Sequence, residues 1–315
     1  MTHRALDPHR ISIVASTLLV AWGPVRAELV FGSVGMEVDD QSGYIVFGAL
    51  GGDMAARTTW DLAMSSADTS TDLYDLRTTA YDGSIYHDFG TVGLRAGLGG
   101  WSDDEIVAVD RFSAALDVHG DGWLVALQAR LDNNDFEPLD IDRTITRRDG
   151  SLLTISATAD CKVDDTGIGA RLRVSSGEWA FAIDGMTFEY DDFSCDFDLV
   201  ALDVLRRATR DEFVQLADRV TDVLSFSSGR RLLYETSFLD SRLSLSLNRN
   251  TPTRSYALYY DRIEGVFFER TADTLAGSMS FVLSSGHEIE TYVGATDSNG
   301  DDTVVFVGMS FLILR

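Results

Sequence analysis

Ser241-Arg242-Leu243-Ser244-Leu245-Ser246-Leu247-Asn248 is the stretch that decides the fold. Leucine takes every second place, and arginine, serine and asparagine take the alternates. In an extended strand, that period of two puts the leucines on one face and the polar residues on the other. A helix would scatter the same leucines around its circumference, so the stretch specifies a strand between two different environments.

Outward from this stretch the same period recurs. In 167–175, Ile168, Ala170, Leu172 and Val174 oppose Gly169, Arg171 and Arg173. In 151–163, Leu153, Ile155, Ala157, Ala159, Cys161 and Val163 oppose Thr154, Ser156, Thr158, Asp160 and Lys162. Runs at 56–65, 91–99, 123–131, 274–284 and 304–313 read alike. Between them lie turn-forming pieces such as Asp82-Gly83, Gly120-Asp121-Gly122 and Asp149-Gly150. Glycine enters the positive φ of tight hairpins without steric cost. Strand, short turn, strand and longer polar loop form the rhythm of an antiparallel meander. One segment departs from it. In 209–224, Phe213, Leu216, Ala217, Val220, Val223 and Leu224 keep helical spacing, and Thr209 with Glu212 forms a capping box. This predicts one short helix at about 210–223.

The start of the chain carries an address. Arg4 and Arg10 precede an apolar run from Ile11 to Trp22, and Val25-Arg26-Ala27 supplies small residues for cleavage after Ala27. The run falls short of the ~18–20 apolar residues a spanning helix needs. Residues 1–27 therefore read as a signal peptide and 28–315 as one β domain. Of the 315 residues, 26 are Lys or Arg and 50 are Asp or Glu; Lys162 is the sole lysine. The part after Ala27 carries 23 bases against 49 acids, a formal charge of −26. Such a surface excludes a general nucleic-acid binder, whose polyanionic partner needs a cationic face. The 45% apolar share excludes a disordered acidic chain.

Three features favour a barrel in a membrane over a soluble sandwich. Several runs reach the ~9–11 residues of a tilted spanning strand. Their polar faces are rich in Arg, Ser, Thr, Gly and Asp, as a wet interior requires. Trp60, Trp101, Trp123, Trp179, Tyr190, Tyr256 and Tyr260 lie near run ends, where interfacial aromatic girdles stand. At ~20–25 residues per strand and turn, 28–315 gives about 12 strands, within 10–16.

The tail Val305, Val307, Met309, Phe311 and Ile313, alternating with Phe306, Gly308, Ser310 and Leu312, is similar to the closing strand of Gram-negative outer-membrane β-barrels. The signal peptide and the alternation over nearly all of 28–315 resemble that class as well. The chain departs from it in ending Leu314-Arg315 rather than on an aromatic residue. The resemblance implies an all-β, antiparallel up-and-down transmembrane barrel in the outer membrane. It also implies a porin-like channel or transporter for small solutes. The implied partners are membrane lipid, lipopolysaccharide and the barrel assembly machinery.

The polar phases nominate the pore lining as Arg57, Asp61, Arg95, Arg130, Asp160, Lys162, Arg171, Arg173, Arg242 and Glu290. Opposed acids and bases there would set a transverse field on passing solutes. Acidic loops draw cations while lumen arginines draw anions, so no net ion preference is expected. Asp297, Asn299 and Asp301 alternate as in half a calcium loop, but no glutamate closes it. Asp132-Asn133-Asn134-Asp135 is a weaker acidic loop of the same kind. No cofactor motif occurs. Catalysis would have to use His87 or His119, and no G-x-S-x-G or H-E-x-x-H is present. A soluble exported β protein and a barrel hydrolase are the alternative readings. Cys161 and Cys195 are the only cysteines. A disulfide across their 34-residue separation would contribute about 3–4 kcal/mol in the loop-entropy account. Because Cys161 shares an apolar phase, two free thiols satisfy the sequence equally well.

Overall fold

A computed structural model describes residues 28–40, 43–70, 75–103, 107–136, 139–146, 152–191, 194–197, 239–265, 271–283, 285–298 and 303–314. Among them are sixteen strands and no helix. The first seven are β1 (Glu28–Asp39), β2 (Tyr44–Ala55), β3 (Thr58–Ser70), β4 (Asp75–Asp88), β5 (Val92–Asp103), β6 (Val107–Gly120) and β7 (Trp123–Phe136). Then come β8 (Leu139–Thr146), β9 (Leu152–Ser176), β10 (Trp179–Tyr190) and β11 (Ser194–Phe197). The rest are β12 (Leu239–Asn250), β13 (Arg254–Gly265), β14 (Thr271–Val282), β15 (Glu288–Ser298) and β16 (Val304–Leu314). The segment expected to be helical, 210–223, and the expected signal peptide lie outside the described residues.

Each strand pairs antiparallel with its neighbours, β1 joins β16, and β9 pairs both β7 and β10. The result is a closed ring of fourteen strands, with β8 and β11 outside it as further partners of β9. Closure satisfies every wall strand on both edges, which a sheet in hydrocarbon requires. Fourteen strands replace the expected twelve because the repeat is shorter than assumed. From β1 to β7, successive strands start 14–17 residues apart. Tight connections at one end of the ring make this spacing possible. Gly122, between β6 and β7, takes φ 79°, and a Cβ there would press on the Ser175 carbonyl oxygen. Arg57, between β2 and β3, is a non-glycine residue at positive φ, 65°. Both chain ends of the ring, Glu28 and Leu314, lie at this short-turn end. The opposite end carries the longer connections, including residues 198–238 between β11 and β12.

The outer wall is apolar around the ring. Val34, Met36 and Val38 of β1 stand opposite Phe311, Met309 and Val307 of β16, and all but Phe311 are among the largely exposed hydrophobics. Leu127 of β7 and Ile168 of β9 are each 66% exposed. A water-soluble monomer would not present a continuous belt of this kind. The soluble alternative therefore does not describe this molecule. Trp123, Trp179 and Tyr256 flank the belt at the short-turn end, where Arg249 sits over Trp179 and Arg254 over Phe281. Toward the other end, outward tyrosines donate to aspartates. Tyr81 reaches Asp110 at 3.0 Å, Tyr260 reaches Asp273 at 2.6 Å and Tyr44 reaches Asp68 at 3.3 Å. Two of the expected girdle aromatics point inward instead. Trp101 is 3% exposed and shares its register with inward Val109, while the Tyr190 hydroxyl donates to the Leu239 carbonyl.

β9 explains a second departure. It is one unbroken strand of 25 residues, roughly 80 Å at ~3.3 Å per residue, far longer than a bilayer crossing. Its lower half puts Ile168, Leu172 and Val174 outside and Arg171 and Arg173 inside. Following the same alternation upward, even positions stay outside, so Lys162 falls on the outer face and Val163 and Asp165 on the buried inner one. Lys162 pairs there with Asp135 of β7 at 2.9 Å, below the free hairpin that β8 and β9 project past the ring. The apolar phase of the sequence flips along this strand because its outer face leaves lipid for water.

Candidate functional site: the lumen wall

The inner wall is built from strand residues that the pleat turns away from the apolar belt. Along β3 to β13, among the described residues, four arginine–aspartate clusters each span adjacent or near-adjacent strands. Asp61 and Ser84 are register partners on β3 and β4, and Arg95 of β5 closes the group. The Arg95 guanidinium donates to Asp61 at 3.1 Å and to Ser84 at 2.8 Å. Ser84 itself donates to Asp61 at 2.8 Å. The side chains of Arg95 and Asp61 are 48% and 38% exposed, so water reaches this cluster and the ion pair adds about 1 kcal/mol or less.

The second cluster is buried. Arg111 of β6 stands opposite Asp132 of β7 and donates to its two oxygens at 3.1 Å each. Arg130, two residues from Asp132 on the same face, donates to the same carboxylate at 2.8 and 2.9 Å and again through Nη2. Its guanidinium also lies 5.0 Å above the Phe188 ring. One carboxylate with no exposed side-chain surface thus holds two arginines together. A layer above, Asn134 donates to Asp165 at 3.1 Å and to the Val163 carbonyl at 2.9 Å.

Arg171 of β9 and Asp184 of β10 are register partners joined at 2.6 Å, and Gln128 of β7 donates to the same carboxylate at 2.8 Å. Arg242 of β12 reaches Asp261 of β13 at 3.2 Å and Ser244 at 3.1 Å, while Ser244 donates to Asp261. Glu290 of β15 accepts from Ser310 of β16 at 3.4 Å.

The remaining arc, β14 to β16 with β1 and β2, is lined differently. Phe47 covers Gly35, Phe31 covers Gly51, Tyr292 covers Gly308 and Phe306 covers Gly294, so that a Cβ on any of these glycines would overlap a ring. Glycine lets each aromatic ring lie against the wall instead of crossing the bore. Near the long-connection end the interior becomes apolar, with Phe188, Leu239 and Ile263 packed together against Met186 and Tyr190. The expectation of a uniformly polar lumen is corrected there.

Of the ten nominated lining residues, Asp61, Arg95, Arg130, Arg171, Arg173, Arg242 and Glu290 stand on the inner phase. Arg57 does not, because it sits in the β2–β3 turn. Lys162 does not either, and Asp160 shares its phase on projecting β9, opposite Asp196 of β11. Arg111, Asp132, Asp184 and Asp261 were missed as lining. Asp132 lies one residue past the 123–131 run, while Arg111, Asp184 and Asp261 lie on β6, β10 and β13, where no alternating run had been read. The stretch 132–135, read as an acidic loop, is strand, with Asp132 and Asn134 inside and Asn133 and Asp135 outside. Asp297 accepts from Thr303 at 3.2 Å, while Asn299 and Asp301 lie outside the described residues. His87 hydrogen-bonds Thr58 at 2.7 Å. His119 lies between Asp117 at 2.6 Å and Asp88 at 3.5 Å, and among the described residues neither histidine has a serine partner.

No protein-family model matches the chain, and no curated protein matches it in sequence. Solved structures do. The monoaromatic hydrocarbon channel CymD aligns over 92% of this chain and 89% of its own, with a TM-score of 0.52 and 10% identity. OpdQ of Pseudomonas aeruginosa aligns over 92% and 98%, with a TM-score of 0.40 and 8% identity. OpdK of the same organism, solved with vanillate, aligns over 90% and 96%, with a TM-score of 0.38 and 7% identity. At such identities the CymD likeness speaks for architecture alone. With its closed antiparallel ring, apolar outer wall and charge-lined interior, the chain has the fold of an outer-membrane β-barrel of the porin-like class.

Proposed function

We propose that this protein is an outer-membrane channel that lets small solutes cross passively through the barrel interior. The observation that carries this reading is the two-sided wall. Hydrocarbon-compatible side chains cover the outside of the ring, and water-exposed ion pairs such as Arg95–Asp61 line the inside. The short-turn end faces the periplasm and the long connections face outward, as in barrels of this class. A solute in the bore would exchange part of its hydration for serine hydroxyls, aspartates and guanidinium groups, and would meet flat aromatic rings on the opposite arc. The same arrangement supports a membrane and lipid setting for the outer wall, reached through the export signal in 1–27 with cleavage after Ala27. Lipopolysaccharide and the assembly machinery would be its partners there. CymD is a monoaromatic hydrocarbon channel. The ring-lined arc makes small aromatic solutes a reasonable first panel for this chain.

Liposome swelling tests the reading. Vesicles holding the folded protein should swell in isotonic small sugars or amino acids and stay unchanged with a large polysaccharide. Vesicles that behave like protein-free controls in every small solute would overturn it. A hydrolase reading would need His87 or His119 beside a nucleophile. His119 contacts Asp117 and Asp88, and His87 contacts the Thr58 hydroxyl, the one such pairing among the described residues.

A further inference from the structure

Among the described residues, β11 has four residues and pairs with β9. It follows β10 along the same edge of β9, where the Asp191 N–H donates to the Asp164 carbonyl, and it precedes residues 198–238, the longest stretch between two of the strands. The register of this pairing is Ser194 opposite Lys162, Cys195 opposite Cys161, Asp196 opposite Asp160 and Phe197 opposite Ala159. The two cysteines of the chain are thus direct cross-strand partners where β11 meets β9.

We propose that Cys161 and Cys195 form a disulfide that staples β11 to β9 and anchors the root of the 198–238 connection to the wall of the mouth. Directly opposed residues of an antiparallel pair share a face, with Cα atoms about 4.5 or 5.5 Å apart. Both spacings lie inside the roughly 4.4–6.8 Å that a disulfide spans. No third cysteine competes, so the pairing is unique within the chain. The bond rests on export, because disulfides form in the oxidising periplasm and not in the cytoplasm. In the reaction, each Sγ loses its proton and one S–S bond forms. The two electrons reduce the disulfide of an exported thiol–disulfide oxidoreductase to a dithiol.

Counting thiols tests this. Protein from outer-membrane fractions is unfolded and treated with a polyethylene glycol maleimide before and after reduction. The wild type should gain no adduct without reductant and two adducts after it, while C161S and C195S should each gain one adduct without reductant. Two adducts on unreduced wild type would overturn the proposal. A second arm separates failure of the bond from failure of export. Detergent-folded, reduced wild type is exposed to oxidised glutathione. The register predicts an intramolecular disulfide in the monomer, whereas glutathione adducts or cross-linked dimers overturn it. Protein missing from the outer membrane but closing in this second arm would contradict the export reading and leave the bond standing.

Discussion

Asp132 holds the steepest local energetics of the lumen. Its carboxylate neutralises one guanidinium and bridges two, Arg111 and Arg130, without side-chain exposure. Removing it takes the shared carboxylate from two largely buried arginines, and breaking a buried pair in this way costs about 3–5 kcal/mol. Asp61 makes the same chemical kind of contact with Arg95 in open water, where an exposed pair adds about 1 kcal/mol or less. Asp132→Ala should therefore lower the urea midpoint of detergent-folded protein far more than Asp61→Ala. Equal shifts would contradict the burial assigned to the Arg111–Asp132–Arg130 cluster. Glycine gives a second contrast at this scale. Gly35→Val places side-chain atoms where the Phe47 ring lies, so it should destabilise the barrel by about 1–3 kcal/mol as overpacking does. Gly48→Val, on the outer phase of β2, has only the Ser33 carbonyl oxygen close to its Cβ and should cost less in the same titration.

At the scale of single elements, β9 carries the lesson about reading strands. The leucine alternation of 241–248 was legible at once, because β12 spends that length with lipid on one side and the bore on the other. The same rule applied to β9 assigned Lys162 and Asp160 to the lumen, since polar residues were read as inward throughout. Along a strand of 25 residues, outside means hydrocarbon for Ile168 and Leu172 but water for Lys162. Polarity alone cannot carry the phase across that border, whereas the unbroken pairing of β9 with β7 does. Trp101 and Tyr190 were misread for a related reason, as the long-connection end of the interior is itself apolar. Two substitutions test the phase. Leu127→Arg places a charge amid the apolar belt and should cost about 2–4 kcal/mol near mid-bilayer. Lys162→Ala removes an exposed pair outside the belt and should cost about 1 kcal/mol or less. Folding into lipid vesicles across a urea series measures both, and a large penalty for Lys162→Ala would return that residue to the lumen.

For the whole molecule, the net charge of −24 gives way to a partition. The four aspartates Asp61, Asp132, Asp184 and Asp261 hold five arginines among them, leaving one positive charge in excess, and Arg173 adds another. On the same inner phase stand Glu37, Asp82, Asp117, Asp165 and Glu290. Acids therefore prevail on the inner wall even with Asp165, 3% exposed, counted as neutral. The sequence-level balance weighed acidic loops against lumen arginines and pointed to no preference, but it did not place these further acids on the inner phase. With acids in the majority on the inner wall, the bore should pass cations modestly in preference to anions. In a potassium chloride gradient, the reversal potential should have the sign of cation flow and shrink as salt screens the wall.

The central claim is that this ring encloses a passage through a membrane, and conductance tests it most directly. Folded protein added to one side of a planar lipid bilayer in potassium chloride should produce discrete, stepwise and stable increases in current. The same preparation, unfolded by heat, should produce none. A folded, membrane-inserted barrel that leaves the bilayer current at its baseline would contradict the account.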